Sequence, residues 1–284
     1  MKTFLIVLIY LVFAPLVGGL LYGLDRIITA RMQSRVGPPV WQSFFDFSKL
    51  LQKENLVVRR SQNLYIFFYL VFIIFTGTLF FTGGDILLVI FAFTLAGIFF
   101  VLGGYKTSSP YAFVGAEREL IQIMSYEPMI IFTAIGIYMI TRSFYIRDIV
   151  AYSKPLIYVL PGIFLGFVCI LPLKFRKSPF DLSTSHHGHQ EIVKGITTEF
   201  SGPALAMLEL AHWYETVFLL GFVYLFFSHH ILTAIAVALL VYFFVILVDN
   251  TFARVKWQVL IKSLWLVAII FGLGNIIVLS LLKK

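Results

Sequence analysis

Eight apolar stretches of about 18 to 26 residues, one after another, leave this chain few ways to fold. Hydropathy windows of about 19 residues set them at 2–24, 64–82, 85–104, 118–140, 155–173, 202–227, 231–249 and 263–282. Inside a bilayer no water is available for backbone N–H and C=O groups, so segments of this kind must satisfy them internally as helices. The sequence therefore predicts an all-α integral membrane protein of about eight transmembrane helices, forming a single membrane domain over 1–284. Charged residues make up only 13% of the chain and mean hydropathy is +0.94, where a soluble domain carries about 25% charge. The first stretch reads as a span and not as a cleaved signal, because a single Lys precedes it and no small-residue cleavage site follows.

The net charge of +8 invites a nucleic-acid reading, but the positions of the charges argue for topology. If the connection 25–63 is cytoplasmic, that side holds all of the 22 Lys and Arg except Lys2, Arg142, Arg147, Lys154, Lys283 and Lys284. Such a split satisfies the positive-inside rule for a protein of the cytoplasmic membrane with both termini outside. The expected neighbours of the basic side are lipid headgroups or acidic partner proteins.

Two cytoplasmic connections are long, 25–63 and 174–201. In the first, Trp41, Phe44, Phe45, Phe47, Ser48 and Leu51 recur at helical spacing, with Asp46, Lys49 and Lys53 opposite. That pattern predicts an amphipathic helix lying in the plane of the membrane interface. The second opens on Lys174, Arg176 and Lys177 followed by Pro179 and Asp181, where the proline excludes a regular helix and the three bases can pair with acidic groups or line a polar cavity. Arg26, Arg31, Arg35, Lys174, Arg176, Lys177 and Asp181 together are expected to form a docking and coupling face for a soluble module.

Acids within or beside the spans carry the functional signal. Glu117, Glu119 and Glu127 open the fourth span, and the eight residues from Glu119 to Glu127 rise about 12 Å with the side chains about 80° apart. In the sixth span Glu209, His212 and Glu215 recur every third residue, a carboxylate–imidazole–carboxylate stripe about 9 Å long. Histidine titrates near neutrality and burial raises a carboxylate toward it, as a proton relay requires. Glu191 and Glu199 fall where the chain re-enters the membrane, as gate residues would, and Asp249 is placed to extend the path. The competing reading is that a membrane carboxylate pairs with a buried base to fix packing. Loop bases are expected to neutralise one or two of these acids, not all of them.

His186, His187 and His189 look like a metal-ligand run, but no cysteine supports it and loop histidines beside a glycine are commonly solvated. Cys169 is the one cysteine, so the chain supplies no set of thiolates for an iron–sulfur cluster or nickel–iron centre. No cofactor, metal or catalytic residue is expected in this chain. Gly18, Gly19 and Gly23 read as close helix approach.

Several motifs, in order, resemble one family. Residues 25–39, which end in Val36-Gly37-Pro38-Pro39, and the amphipathic 45–54 are similar to the first cytoplasmic loop of the H-type membrane subunit of respiratory complex I. Residues 111–118, 122–127, 178–181, 191–195 and 199–202 match further motifs of that family. The resemblance implies eight spans with both termini outside. It also implies one of two branches: a quinone-chamber subunit of complex I, or the membrane anchor (B-type) beneath an energy-converting (Ech-type) nickel–iron hydrogenase. Where the quinone branch carries Glu and Arg before Pro-Phe-Asp, this chain has Lys174 and Lys177, and His212 stands where that branch has Glu. The Glu117-Arg118-Glu119-Leu120 and 208–215 segments look more like the hydrogenase branch.

The resemblance thus implies a membrane anchor and ion-translocating subunit of a ferredoxin-dependent, proton-reducing hydrogenase. The expected partners are hydrogenase large and small subunits, a ferredoxin-like iron–sulfur subunit and an antiporter-like membrane subunit, which hold the iron–sulfur clusters and the nickel–iron centre. Glu117, Glu119, Glu127, Glu191, Glu199, Glu209, His212 and Glu215 are the expected ion relay or gate. The rivals are a quinone-chamber subunit of a complex I-like NADH or ferredoxin:quinone oxidoreductase, and a secondary transporter or passive scaffold.

Overall fold

Each of the eight apolar stretches is a helix in the computed structural model, which describes residues 2–56, 59–180, 183–184 and 194–282. They are α1 (Lys2–Met32), α3 (Arg60–Phe81), α4 (Ile86–Lys106), α5 (Pro110–Thr141), α7 (Pro161–Lys174), α8 (Gly202–Leu225), α9 (Ile231–Thr251), and a last rod in which α10 (Trp257–Val267) runs through a π-helical stretch, Ala268–Leu273, into α11 (Gly274–Leu282). Between them lie α2 (Gln42–Gln52) and the short α6 (Ile146–Val150). Among the described residues six helices, counting the last rod as one, are both long and apolar enough to cross a membrane. The other two expected spans differ for physical reasons. α8 has 24 residues, but Glu209, His212 and Glu215 dilute its apolar character, and it is largely buried among other helices. α7 has 14 residues, a rise of about 21 Å against a hydrocarbon core of about 30 Å.

Helix limits follow from local chemistry. Asp85 caps α4 by accepting from the Leu87 N–H at 2.7 Å. Pro110 and Pro161 open α5 and α7, where a missing N–H costs nothing. Pro15, Pro128 and Pro172 lie inside helices, which neighbouring helices in a membrane bundle tolerate.

α8 is the centre of the bundle. α1, α2, α3 and α9 pack around it, α3 carries α4, and α4 carries α5, which bears α7 and the 257–282 rod. The outward surfaces of these helices are apolar, as a lipid-facing surface must be. A run of rings, Phe80, Phe93, Phe167, Phe218, Phe222 and Phe226, fills the seam between α3, α4, α7 and α8.

The first long connection carries the expected amphipathic helix, α2, and the structure adds what one side of it packs against. α2 turns part of its apolar face onto the bundle: Phe44 and Phe47 pack on Trp213 of α8, with ring centroids 5.3 and 5.5 Å apart. Trp41, Phe45 and Leu51 remain exposed and are the part left for lipid. Glycine makes this docking possible. A side chain at Gly23 would put its Cβ 2.0 Å from the Val40 carbonyl oxygen, and one at Gly19 would enter the Phe44 ring. The small residues of the first span thus admit α2 as well as a neighbouring helix, since Gly18 sits against the Trp213 backbone.

The two long connections meet. The Leu56 N–H donates to Ser201 Oγ, and that hydroxyl donates back to the Leu56 carbonyl, each at 3.0 Å. Gln62 Nε2 donates to the Glu199 carbonyl at 3.1 Å. Gly202, at φ +53, starts α8 so close beneath Glu54 that a Cβ would lie 2.7 Å from its carbonyl oxygen.

Candidate ion-coupling site

The site begins with how α7 stops. The Lys177 N–H bonds to the Pro172 carbonyl at 2.8 Å and the Arg176 N–H to the Leu173 carbonyl at 3.1 Å. Arg176 between them is left-handed, at φ +56. This is a Schellman closure with an arginine where glycine is usual. A left-handed non-glycine residue costs of order 1 kcal/mol and persists only where its surroundings hold it. Here the turn fans three bases toward different helices.

Lys174 points to α8 and α5. Its Nζ lies 2.8 Å from Glu215 Oε1 and 3.2 Å from Tyr126 Oη, with Lys174 10% and Glu215 7% exposed in their side chains. The Phe93 and Tyr126 rings face the ammonium at 3.9 and 4.3 Å. Glu215 accepts a second bond, from Tyr69 Oη at 3.2 Å. Arg176 reaches Glu119 of α5 at 3.7 Å and donates to Thr184 Oγ1 at 3.2 Å, over the Phe100 ring. Glu119 also accepts a short bond from Ser183 Oγ. Lys177 lies 2.5 Å from Asp25 Oδ2 of α1 and 3.4 Å from Asp249 Oδ2 of α9. Asp249 in turn accepts the Ser178 N–H at 2.8 Å, and Asp25 accepts from Thr29 Oγ1.

Lys174, Arg176 and Lys177 are largely buried and paired with acidic groups, one of the arrangements their sequence allowed. Of the acids singled out from the spans, these three bases engage Glu215, Glu119 and Asp249, one more than expected and still not all; with Asp25 they face four carboxylates, one more than there are bases.

The remaining residues disperse. Glu127 accepts from Thr94 Oγ1 at 3.1 Å, partly buried, while Glu117 is exposed. The stripe on α8 divides. His212 and Glu215 both meet Tyr69 of α3, the imidazole edge-on at 6.3 Å between centroids, whereas Glu209 sits in the field of Arg26, Arg176 and Asp46. Glu199 is partly buried at the start of the second re-entry. Arg31 and Arg35 are exposed, with Arg35 bonded to Gln33. Asp181, Glu191 and the histidines 186, 187 and 189 lie outside the described residues.

Arg26 and Asp46 bridge α1 to α2 at 2.5 Å, about 40% exposed. Partial burial pushes the Asp46 carboxyl up, but hydrogen bonds from Arg26 and Gln42 and the charges of Arg26 and Lys49 outweigh it and hold the carboxyl below the usual range. A depressed folded-state value means that this stabilisation is complete above the ordinary aspartate pKa of about 3.9 and is lost as pH falls through the folded value. Hydrogen-exchange protection over 42–52, taken relative to the intrinsic rate at each pH, should therefore be constant from about pH 8 to 5 and fall only below about pH 4. A loss of protection centred near neutrality would show that another group holds α2.

Sequence reasoning missed Tyr69, Tyr126, Phe93 and Asp25. The first three were hidden among aromatic residues that make up 17% of the chain and read as packing. Two of the four carried a signal: Tyr126 stands beside Glu127 in one motif of the resemblance, and Asp25 opens another.

Comparison with known proteins agrees with this architecture. The family model described as NADH dehydrogenase matches residues 4–280. The chain belongs to the NADH dehydrogenase family, that of the H-type membrane subunit of complex I. Hydrogenase-4 component C of Escherichia coli K12 is 34% identical over 67% of this chain and 64% of its own length, so the match spans less than two thirds of that relative. The H-type subunit of the NADH-quinone oxidoreductase of Anoxybacillus flavithermus is 30% identical over 94% of this chain and 90% of its own length. Among solved structures, a chain of the archaeal membrane-bound sulfane sulfur reductase, a respiratory membrane complex, superposes with a TM-score of 0.83 at 23% identity, covering 97% of this chain and all of that one, which establishes the shared fold. As a member of this family the chain is a multi-pass membrane subunit of a complex I-like respiratory or hydrogenase complex.

Proposed function

We propose that this chain is the membrane anchor and ion-coupling subunit of a ferredoxin-dependent, proton-reducing energy-converting nickel–iron hydrogenase of the Ech type, set in the cytoplasmic membrane with both termini outside. The observation that carries the coupling role is the buried fan of bases at the end of α7, which ties carboxylates of α1, α5, α8 and α9 to one turn. Four carboxylates against three bases leave one negative charge in excess within that set. A proton taken up there relieves the excess without breaking every pair, and a shift of the turn redistributes the partners. Moving a charge across the membrane costs about 2.3 kcal/mol per 100 mV, so release must be timed by a driving step. The second long connection begins on this turn, which offers a route by which a docked redox module acts on it.

The hydrogenase branch draws support from the 34% identity with hydrogenase-4 component C and from Lys174 standing where the quinone branch is acidic. In this reading the large and small hydrogenase subunits, a ferredoxin-like iron–sulfur subunit and an antiporter-like membrane subunit are the partners, and the redox centres are theirs. The coverage of 94% against the H-type oxidoreductase relative favours the second reading, a quinone-chamber subunit, whose mark is inhibition by quinone analogues and copurification of flavin subunits.

Glu119→Gln, Glu127→Gln and Glu209→Gln, each in the assembled complex, test the relay. Hydrogen evolution driven by reduced ferredoxin and ion uptake by inside-out vesicles are measured together. We expect at least one variant to lose ion uptake by about tenfold or more, as loss of a positioned proton-transfer group does. If both activities survive all three changes, the chain is a scaffold and the ion passes elsewhere.

A further inference from the structure

α1 and α9 are joined along one half of their length and separate along the other. Tyr242 Oη of α9 donates to the Leu21 carbonyl of α1 at 3.2 Å, and beyond it Asn250 bonds to Thr29 and Gln33. Toward the opposite end a groove of about 720 Å³ opens between them. Its walls run along α1 from Ile6 to Leu21, about 22 Å at helical rise, which is longer than half of a hydrocarbon core about 30 Å thick. Gly221 of α8 and Ala238 of α9 widen its floor, while Ile6 and Leu239 are exposed at its lips. At its end the Arg147 side chain, 82% exposed, lines the rim; its Nε is 3.6 Å from Asp148, which also accepts from Ser143 Oγ.

An apolar groove of this size in a membrane protein does not stand empty. Its lining would forfeit dispersion contacts, and water finds too few polar partners there. What lies beside it is the bilayer, and what stands at its end is a guanidinium with five N–H donors suited to a phosphodiester. We propose that the α1–α9 groove is a lipid site that takes a hydrocarbon chain of an anionic phospholipid, with the headgroup phosphate on Arg147. This site lies apart from the fan of bases, at the end of the bundle shared by the start of α1 and the ends of α3 and α5.

The test uses membranes containing the assembled complex, supplied with phosphatidylglycerol or phosphatidylcholine carrying the same photoreactive acyl chain. Adducts on residues 217–225 and 235–239 are then quantified by mass spectrometry of peptides. The phosphatidylglycerol probe should label these segments about fivefold more than the phosphatidylcholine probe, while exposed positions such as Ile270 show no preference. Arg147→Gln, a surface change, should abolish the preference, and Ala238→Trp should remove the adducts from the groove. Equal labelling by the two probes overturns the proposal, as does a preference that survives Arg147→Gln. Absence of adducts from both segments also overturns it.

Discussion

Lys174→Met destabilises the protein by about 3–5 kcal/mol, because it leaves the Glu215 carboxylate buried without its counter-charge. Tyr69 Oη still donates to that carboxylate, and one neutral donor does not replace an ammonium at 2.8 Å. The measurement is the thermal midpoint of the solubilised complex, followed by retention of this subunit. Adding Glu215→Gln should recover most of the loss, since a buried ion pair is worth little against a neutral pair of similar volume. The charge-reversed pair, Lys174→Glu with Glu215→Lys, should recover part. If the double variants are no more stable than Lys174→Met alone, the loss arises from the cation's contacts with Phe93 and Tyr126 and not from the pair.

Lys177→Met should have a comparable effect with a different signature. One ammonium serves two acids, so its loss leaves Asp25 and Asp249 facing each other across the space it filled. Both acids hold secondary bonds, from Thr29 and from the Ser178 N–H, and these keep the carboxylates in place while their repulsion is unrelieved. The expected loss is again about 3–5 kcal/mol, with α1 and α9 loosened where Asn250 joins them. Protease accessibility of the 25–63 connection should rise severalfold, and Asp25→Asn together with Asp249→Asn should restore protection. Unchanged accessibility in Lys177→Met would assign the fixing of that connection to the packing of α2 on Trp213 and the bonds from Leu56 and Gln62 to the second connection.

How far the fold was legible follows from which physics each element depends on. The eight helices were readable because a bilayer imposes one solution on every apolar stretch, including the short α7 and the acid-bearing α8. The amphipathic helix was readable as a period, but its partner was not. Periodicity states that α2 has an apolar face, and only the contact with Trp213 and the glycines of α1 states that part of this face is covered by protein. The acids of α5 and α8 were readable as ionisable groups in spans. Their pairing was hidden by the end of α7, where a left-handed residue is ordinarily signalled by glycine and here is Arg176. Without that turn in view, three closely spaced bases read only as groups able to pair with acids or line a polar cavity, with no partner assigned. With it, they read as three arms directed inward.

The clasp between Leu56 and Ser201 bears on how the protein is made. Its two halves are 145 residues apart, and the Asp25–Lys177 pair spans 152. At a synthesis rate of about 5–20 residues per second, the first connection waits roughly 7 to 30 s before its partners leave the ribosome. During that interval the apolar side of α2 has no Trp213 to cover it, and the membrane surface is the one apolar place within reach. The interfacial pose written into its amphipathic pattern is thus the natural resting state of a segment synthesised early and docked late. A substitution of Phe44 or Phe47 that weakens that holding position should reduce the yield of assembled protein more than it lowers the stability of the protein that does assemble.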